Sequence, residues 1–344
     1  MATLRLDARL LGGDAGRWTV RSLRDELGAQ PSLVCIEGDG LRDADERTRH
    51  ALRELPALTI ALTDAREVPV DAVDLVTDDD RDVLAWSAGF ARAPVAAVSA
   101  AVLLRTAPTE TWPGLVAESA AYSMLQSGPE HRAWLATRCI TPAGDADTPR
   151  VRLEERDGVT GVVLARPSRH NAFDLAMRDA LHEAFTTLAA GDGAVVWRAD
   201  GPSFCSGGDL GEFGTAPDPA TAHVVRLTRC VARVVDALRD RLVVALHGAC
   251  TGAGIELPAF ASRVVAADDT RIGLPELGLG LVPGAGGTVS LRRRIGSARV
   301  LELLLTGETV DASRALEWGL VDEVVPRDML VERVYALANG MERA

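Results

Sequence analysis

Short apolar runs closed by glycine or charged residues alternate with amphipathic stretches along this chain. Ser32-Leu33-Val34-Cys35-Ile36-Glu37-Gly38 and the runs at 58–62 and 72–76 read as buried strands, because each is brief, continuously apolar and bounded by turn residues. An alternation over 3–10 predicts another strand, and the spacing of apolar positions predicts helices over 19–27 and 43–55. Residues 118–138 read as a helix, a Gly-Pro break and a second helix. The apolar-run pattern returns at 161–165, 194–198 and 242–246. Between these, helices are predicted over 175–189, with Asp174 as the cap, and as one long helix over 221–238. After Thr288 come a basic helix containing Arg292, Arg293 and Arg294 and an apolar helix over 298–305. Strands alternating with helices place the chain in the α/β class.

Two short segment pairs match between the halves. Residues 53–62 share a charge-then-apolar order with 239–246, and 74–79 resemble 263–269. A shortened relative of the second half and a chance likeness of two α/β segments both fit these matches. Residues 142–150, carrying Gly144-Asp145-Ala146-Asp147, are the best linker. The expected organisation is therefore an α/β domain over 1–110, a helical segment and linker over 111–145, and a second domain over 146–344.

Composition narrows the chemistry. The apolar fraction of 47% with 4% aromatics implies a core of Ala, Val and Leu. A formal charge of −12 argues against nucleic acid or an anionic membrane as partner, and an anionic ligand would need local arginines. No lysine occurs, so all 37 basic residues are arginine, and a Schiff-base or P-loop lysine is excluded. Cys35, Cys139, Cys205, Cys230 and Cys250 include no C-x-x-C pair, so no zinc site or disulfide framework is indicated, and a cytoplasmic protein with reduced thiols is expected. No signal-peptide run or membrane-length apolar stretch is read in the sequence.

The stretch 245–288 carries the chemistry. Glu256 follows the turn G-A-C-T-G-A-G and opens an apolar segment, and Glu276 lies between Leu274-Pro275 and Leu277-Gly278. Carboxylates are seldom buried without a partner or a task, so two of them framed by glycine turns indicate a pocket. Taken singly, Glu256 also fits a carboxylate at a helix N-terminus and Glu276 a surface turn residue. His170 and His247 read as structural, Cys205 and Cys250 as small core residues, and Arg292 to Arg294 as a solvated helix face.

Five blocks carry a family likeness: P-S-R-H-N-A-F, S-F-C-S-G-G-D-L, H-G-A-C-T-G-A-G-I-E-L, L-P-E-L-G-L-G-L-V-P-G-A-G-G-T, and the run from L-L-T-G-E-T to D-E-V-V-P. In this order they resemble the crotonase superfamily, the enoyl-CoA hydratase/isomerase family, over residues 151–328. The resemblance implies a ββα spiral core that binds an acyl-CoA thioester, preceded here by an α/β N-terminal domain that reads as a degenerate crotonase-like half with a helical tail. It places two backbone N–H donors for the thioester oxygen on Gly208 and Ala253, the latter where the family usually has glycine. Each such donor is worth about 3 kcal/mol of barrier. It further implies Glu256 and Glu276 as the acid and base around one water. Two glutamates favour hydration of a 2-enoyl-CoA, or the reverse dehydration, which is lyase chemistry. Isomerisation or thioester hydrolysis on the same fold, and a non-catalytic acyl-CoA-binding subunit, are the alternatives.

Contacts to substrate and CoA are expected from Arg169, Ala172, Ser206, Asp209, Leu210, Gly252, Pro283 and Gly284. No cofactor is expected beyond the CoA of the substrate, no metal, and assembly as a trimer or hexamer. The family's helical tail after V-V-P is short here, whereas Glu118 to Arg138 resembles it, with E-x-x-x-Y, a polar break and A-W-L-A-T-R. The N-terminal half is therefore expected to supply the cover, in its own chain or to a neighbour.

Overall fold

The structure is a computed structural model describing residues 2–8, 20–64, 72–138 and 149–341. The predicted linker at 142–150 lies almost wholly outside these residues, as does Cys139. Four parallel strands form the first sheet in chain order: β1 (Ala2–Asp7), β2 (Ser32–Glu37), β3 (Leu58–Leu62) and β4 (Leu75–Thr77). Helices α1 (Val20–Leu27) and α2 (Glu46–Arg53) lie between successive strands. A parallel sheet is covered on both faces, which explains why β2 and β3 read as unbroken apolar runs.

Four helices follow: α3 (Asp80–Arg92), α4 (Pro94–Thr106), α5 (Thr111–Gln126) and α6 (Pro129–Ala136). Pro94 starts α4, and the chain bends by 113° between α3 and α4. The apolar pattern did not announce α4 because it is apolar on nearly every side, as buried helices are. Among the described residues no single helix is long and apolar enough to cross a membrane.

The rest of the chain winds between two sheets. A hairpin of β5 (Val151–Arg156) and β6 (Val159–Leu164) turns at Asp157 and Gly158, both at positive φ. Then come α7 (Leu175–Ala189), β7 (Val195–Ala199), α8 (Pro219–Thr228), α9 (Val231–Ala237), β8 (Leu242–Leu246), β9 (Ala249–Thr251), α10 (Ala253–Glu256), β10 (Arg263–Ala267) and β11 (Arg271–Gly273). The chain finishes with α11 (Gly287–Thr306), β12 (Thr309–Asp311), α12 (Ala312–Glu317), β13 (Glu323–Val325) and α13 (Leu330–Met341). The larger sheet has the order β13-β10-β8-β7-β6-β5 and the smaller one β12-β11-β9. Thus β8 and β10 enter the larger sheet and the strands directly after them, β9 and β11, enter the smaller one. This is a ββα spiral. The two segment pairs that match in sequence occupy neighbouring strands in each half, since β3 pairs with β4 and β8 with β10, both in parallel.

One apolar core runs through both halves, from Leu33 and Leu58 through Phe90 and Ala97 to Phe260 and Leu301. Helices α3 and α4 pack on α11, and α5 packs on α8.

One helix expectation is corrected. The predicted 221–238 helix is two helices, because Cys230 adopts an extended conformation between α8 and α9. The basic and the apolar helix are both present as expected: within α11, Gly296 has a non-helical conformation (φ 79°, ψ 162°) that separates them. Of the three arginines only Arg293 stays exposed, paired with Asp236; Arg292 binds the carbonyls of Leu104, Ala107 and Pro108 at the end of α4, and Arg294 binds the carbonyl of Ala259. Carbonyls left over at a helix C-terminus attract such cations.

Candidate active site

Two backbone turns approach one cavity: one follows Cys205, which bridges Cys250 of β9, and the other ends β9. In the first, Phe173 N–H donates to Gly207 O at 2.8 Å and Asp209 N–H donates to Phe173 O at 3.0 Å. This parallel bridge uses the residues flanking Gly208, so Gly208 directs its own N–H to the opposite edge, where no acceptor takes it among the described residues. In the second, β9 ends in Gly252, whose φ of 50° and ψ of −121° only glycine adopts readily. The Gly252 N–H donates to Gly273 O at 3.0 Å, and its carbonyl accepts from Ile255 and Glu256. Ala253 follows as the first residue of α10, so its N–H, like Gly208's, finds no backbone acceptor among the described residues.

Glu256 closes α10 and is 2% exposed. Its Oε2 accepts from Ala285 N–H at 2.8 Å and Gly287 N–H at 2.9 Å, and burial pushes its pKa up to about 7 against those hydrogen bonds. Glu276, 7% exposed, begins a 3-10 turn, and its Oε2 is buried without a hydrogen-bond partner among the described residues. Burial, then the charge of Glu256, holds Glu276 well above the usual carboxylate range. The two side chains converge: a methyl group placed on Gly252 would stand 2.7 Å from Glu276 Oε1 and 3.8 Å from Glu256 Oε1.

The sequence reading did not include a third buried carboxylate in this site. Glu118, on α5, accepts from Gly286 N–H at 2.7 Å, Thr288 N–H at 2.8 Å and Thr288 Oγ1 at 2.7 Å. Burial and the nearby Glu256 push its pKa up to about 8. A lone acid inside the otherwise uncharged V-A-E-S-A-A-Y was the available signal.

The cavity that Gly208, Ala253, Glu256 and Glu276 face has a volume of about 640 Å³. Of the expected contacts, Ser206, Gly208, Asp209, Leu210, Gly252, Ala253, Glu256, Glu276 and Gly284 lie on its wall. Arg169, Ala172 and Pro283 do not. Arg169 is half exposed, 3.9 Å from Asp209 Oδ1, and the Ala172 carbonyl accepts from Arg166. Burial works against the Asp209 carboxylate, but Arg166 at 2.7 Å and Gly211 N–H hold it below its ordinary pKa, so it fixes the Gly208 turn. Burial drives the Cys205 thiol up to about 12, which makes it an inert core residue. His247 is buried and bonded to Gly201 O, with its pKa depressed to about 4 by burial. Among the described residues no cluster of His, Cys, Asp and Glu could hold a metal ion.

The wall also contains Tyr122 and Gln126 of α5, which the sequence reading placed in the helical tail and not in the site. A methyl group on Gly284 would stand 2.5 Å from the Tyr122 ring. The cover of this cavity therefore comes from the N-terminal half of the same chain.

A profile described as enoyl-CoA hydratase/isomerase matches residues 154–344. The chain belongs to that family. Several solved structures are similar to this family member. A Mycobacterium abscessus protein assigned as an enoyl-CoA hydratase/isomerase is 36% identical, with 56% of this chain and 76% of that one aligned at a TM-score of 0.52. The enoyl-CoA hydratase of Bacillus anthracis is 31% identical over 57% and 77% of the two chains, at 0.53. A Thermobifida fusca protein assigned as an enoyl-CoA hydratase, solved in complex with CoA, is 29% identical over 60% and 83%, at 0.53. The spiral of strands described above is the crotonase fold. The family match starts inside β5, so the first sheet and helices α1 to α6 precede it.

Proposed function

We propose that this crotonase-family chain adds water to a 2-enoyl-CoA thioester, or runs the reverse dehydration. The observation that carries the reading is the convergence of Glu256 and Glu276 over Gly252, beside two backbone N–H groups without acceptors among the described residues. In this reading the thioester oxygen accepts from Gly208 and Ala253. Both donors are main-chain, so alanine serves where relatives carry glycine. They are preorganised for charge that develops on that oxygen.

The environments of the two acids separate their roles. Glu256, with two N–H groups on Oε2, is the better anion and acts as base. Glu276, with an unpartnered buried Oε2, retains the proton and acts as acid. Glu256 removes a proton from water as the water oxygen bonds to C3, and the C2=C3 electrons move onto the thioester oxygen. Glu276 then gives its proton to C2 and the carbonyl re-forms. The pair ends with its protons exchanged and resets by passing one across. No cofactor is required beyond the CoA of the substrate. Arg169, exposed beside the Gly208 turn, is the proposed contact for a CoA phosphate.

Hydration of crotonyl-CoA, followed as loss of the enoyl thioester absorbance, tests this. Glu256→Gln and Glu276→Gln should each lower kcat by roughly 10²–10⁴-fold, with binding of a saturated acyl-CoA retained. Wild-type binding without turnover of any enoyl-CoA would defeat the proposal and favour a binding subunit. Interconversion of 3-enoyl and 2-enoyl thioesters without hydration would favour an isomerase.

A further inference from the structure

Beyond the turn Gly284-Ala285-Gly286, the main cavity adjoins a small side chamber of about 60 Å³. A single water needs roughly 10–15 Å³ on this measure, so the chamber takes a terminal group and not a further length of chain. Phe173, Arg178, Arg226, Gly284 and Ala285 line both spaces. Phe173 also holds the Gly208 turn, and Ala285 donates to Glu256. The chamber therefore opens beside the reacting atoms of the proposed reaction, where the far end of a short acyl group would point. Its walls contain Leu115, Leu227, Val231 and Leu257, apolar as an acyl pocket should be.

Its charges are out of balance. Arg178, Arg226 and Arg229 line it, and Glu118 is the only acid on its wall. The Glu118 carboxylate is already held by Gly286 and Thr288. Arg178 pairs with the half-exposed Asp179, away from the chamber wall. Arg226 makes no ion pair among the described residues. Among the described residues its guanidinium bonds only neutral oxygens, those of Ser119, Ser123 and Gln126, and it lies 4.6 Å from the centre of the Tyr122 ring. Burial lowers its pKa, which reports a cation short of solvent and of a full counter-charge. A cavity wall that carries such a cation is incomplete without an anion.

We infer that Arg226 is a specificity-determining residue that receives a carboxylate at the distal end of the acyl group, so that the substrates are short 2-enoyl-CoA thioesters of dicarboxylic acids. The inference rests on the hydratase reading for the position of the thioester. A neutral acyl chain would leave the guanidinium desolvated and unpaired. A carboxylate reaching the chamber would accept from the N–H left on Arg226 and neutralise it.

Two measurements test this. The first compares kcat/KM for glutaconyl-CoA, which carries a terminal carboxylate, and crotonyl-CoA, which does not. Wild type should prefer glutaconyl-CoA, and Arg226→Met should reduce that preference by about 30-fold or more, the expected loss on truncating one partner of a buried charge pair. An Arg226 that only ties α5 to α8 would lower both substrates together and leave the ratio unchanged, and that result overturns the inference. The second needs no variant and no turnover: calorimetric binding of glutaryl-CoA and butyryl-CoA to the wild-type chain. Glutaryl-CoA should bind at least tenfold more tightly. Equal or weaker binding overturns the inference even where hydration is observed. Tighter binding without any enoyl turnover supports the Arg226 assignment while defeating the hydratase reading.

Discussion

Glu118 and Glu256 take alternate amides of a single turn: Ala285 and Gly287 donate to Glu256, while Gly286 and Thr288 donate to Glu118. One acid belongs to the crotonase core and the other to a helix of the preceding half. The turn that positions the proposed base is therefore fixed only when both halves are in place.

Glu118→Ala should destabilise the chain by about 3 kcal/mol, since it strands buried donors on Gly286 and Thr288. Denaturant titration measures this. Glu118→Gln fills the same space and should cost less, and an alanine variant as stable as wild type would show that the turn holds itself.

Stability should depend on pH in the direction set by raised acids. Burial lifts Glu256 from its ordinary 4.5 to about 7 and Glu118 to about 8. Between the ordinary and raised values the folded chain binds protons that the unfolded chain has released, so stability falls as pH rises from about 5 to about 8. Melting temperatures across that range should decline, and Glu118→Gln should flatten the decline. A rise over the same interval would contradict the assignment.

Activity should follow a bell. If Glu256 works as the base, kcat/KM climbs through about pH 7 as it ionises, then drops at higher pH as Glu276, held well above the usual range, gives up its proton. Glu276→Gln should abolish the alkaline limb in any residual rate.

Gly252→Ala should be severe. Its methyl group would meet Glu276 Oε1 at 2.7 Å, and φ is +50°. Strain of this sort costs roughly 1–3 kcal/mol, and displacing a reacting group by about 1 Å can cost on the order of 10²-fold in rate. A variant with near-native kcat would show that the two acids do not act together.

Removing residues 1–145 should leave a chain that is insoluble or inactive, because it takes away Glu118, Tyr122 and the apolar faces of α3 and α4 that pack on α11. Solubility and crotonyl-CoA turnover of the remainder decide this. A soluble, fully active product would mean that the first half is dispensable.

The local features of this site were legible in the sequence. Glycine turns before Glu256 and around Glu276 and the S-G-G-D turn mark themselves by residue type, and β3, α7 and β8 fell where periodicity put them. What escaped was what depends on distant partners. Helix α4 has no polar face to give it a period, because both sides are buried. Cys230 breaks a helix that its neighbours' pattern would continue. Arg292 looked solvated until the end of α4, 184 or more residues earlier in the chain, was placed beneath it. Glu118 was noticed as part of a tail-like motif, but its bond to Thr288 spans 170 residues that no local pattern encodes.

That span also bears on how the polypeptide is made. A ribosome releases α3 to α5 long before it releases α11, so the lid exists before there is anything to close over. Until the later half emerges, a buried acid and several alanine-rich surfaces stay wet. Such distant pairing slows folding and leaves sticky intermediates. Newly made chains should therefore lean heavily on chaperones.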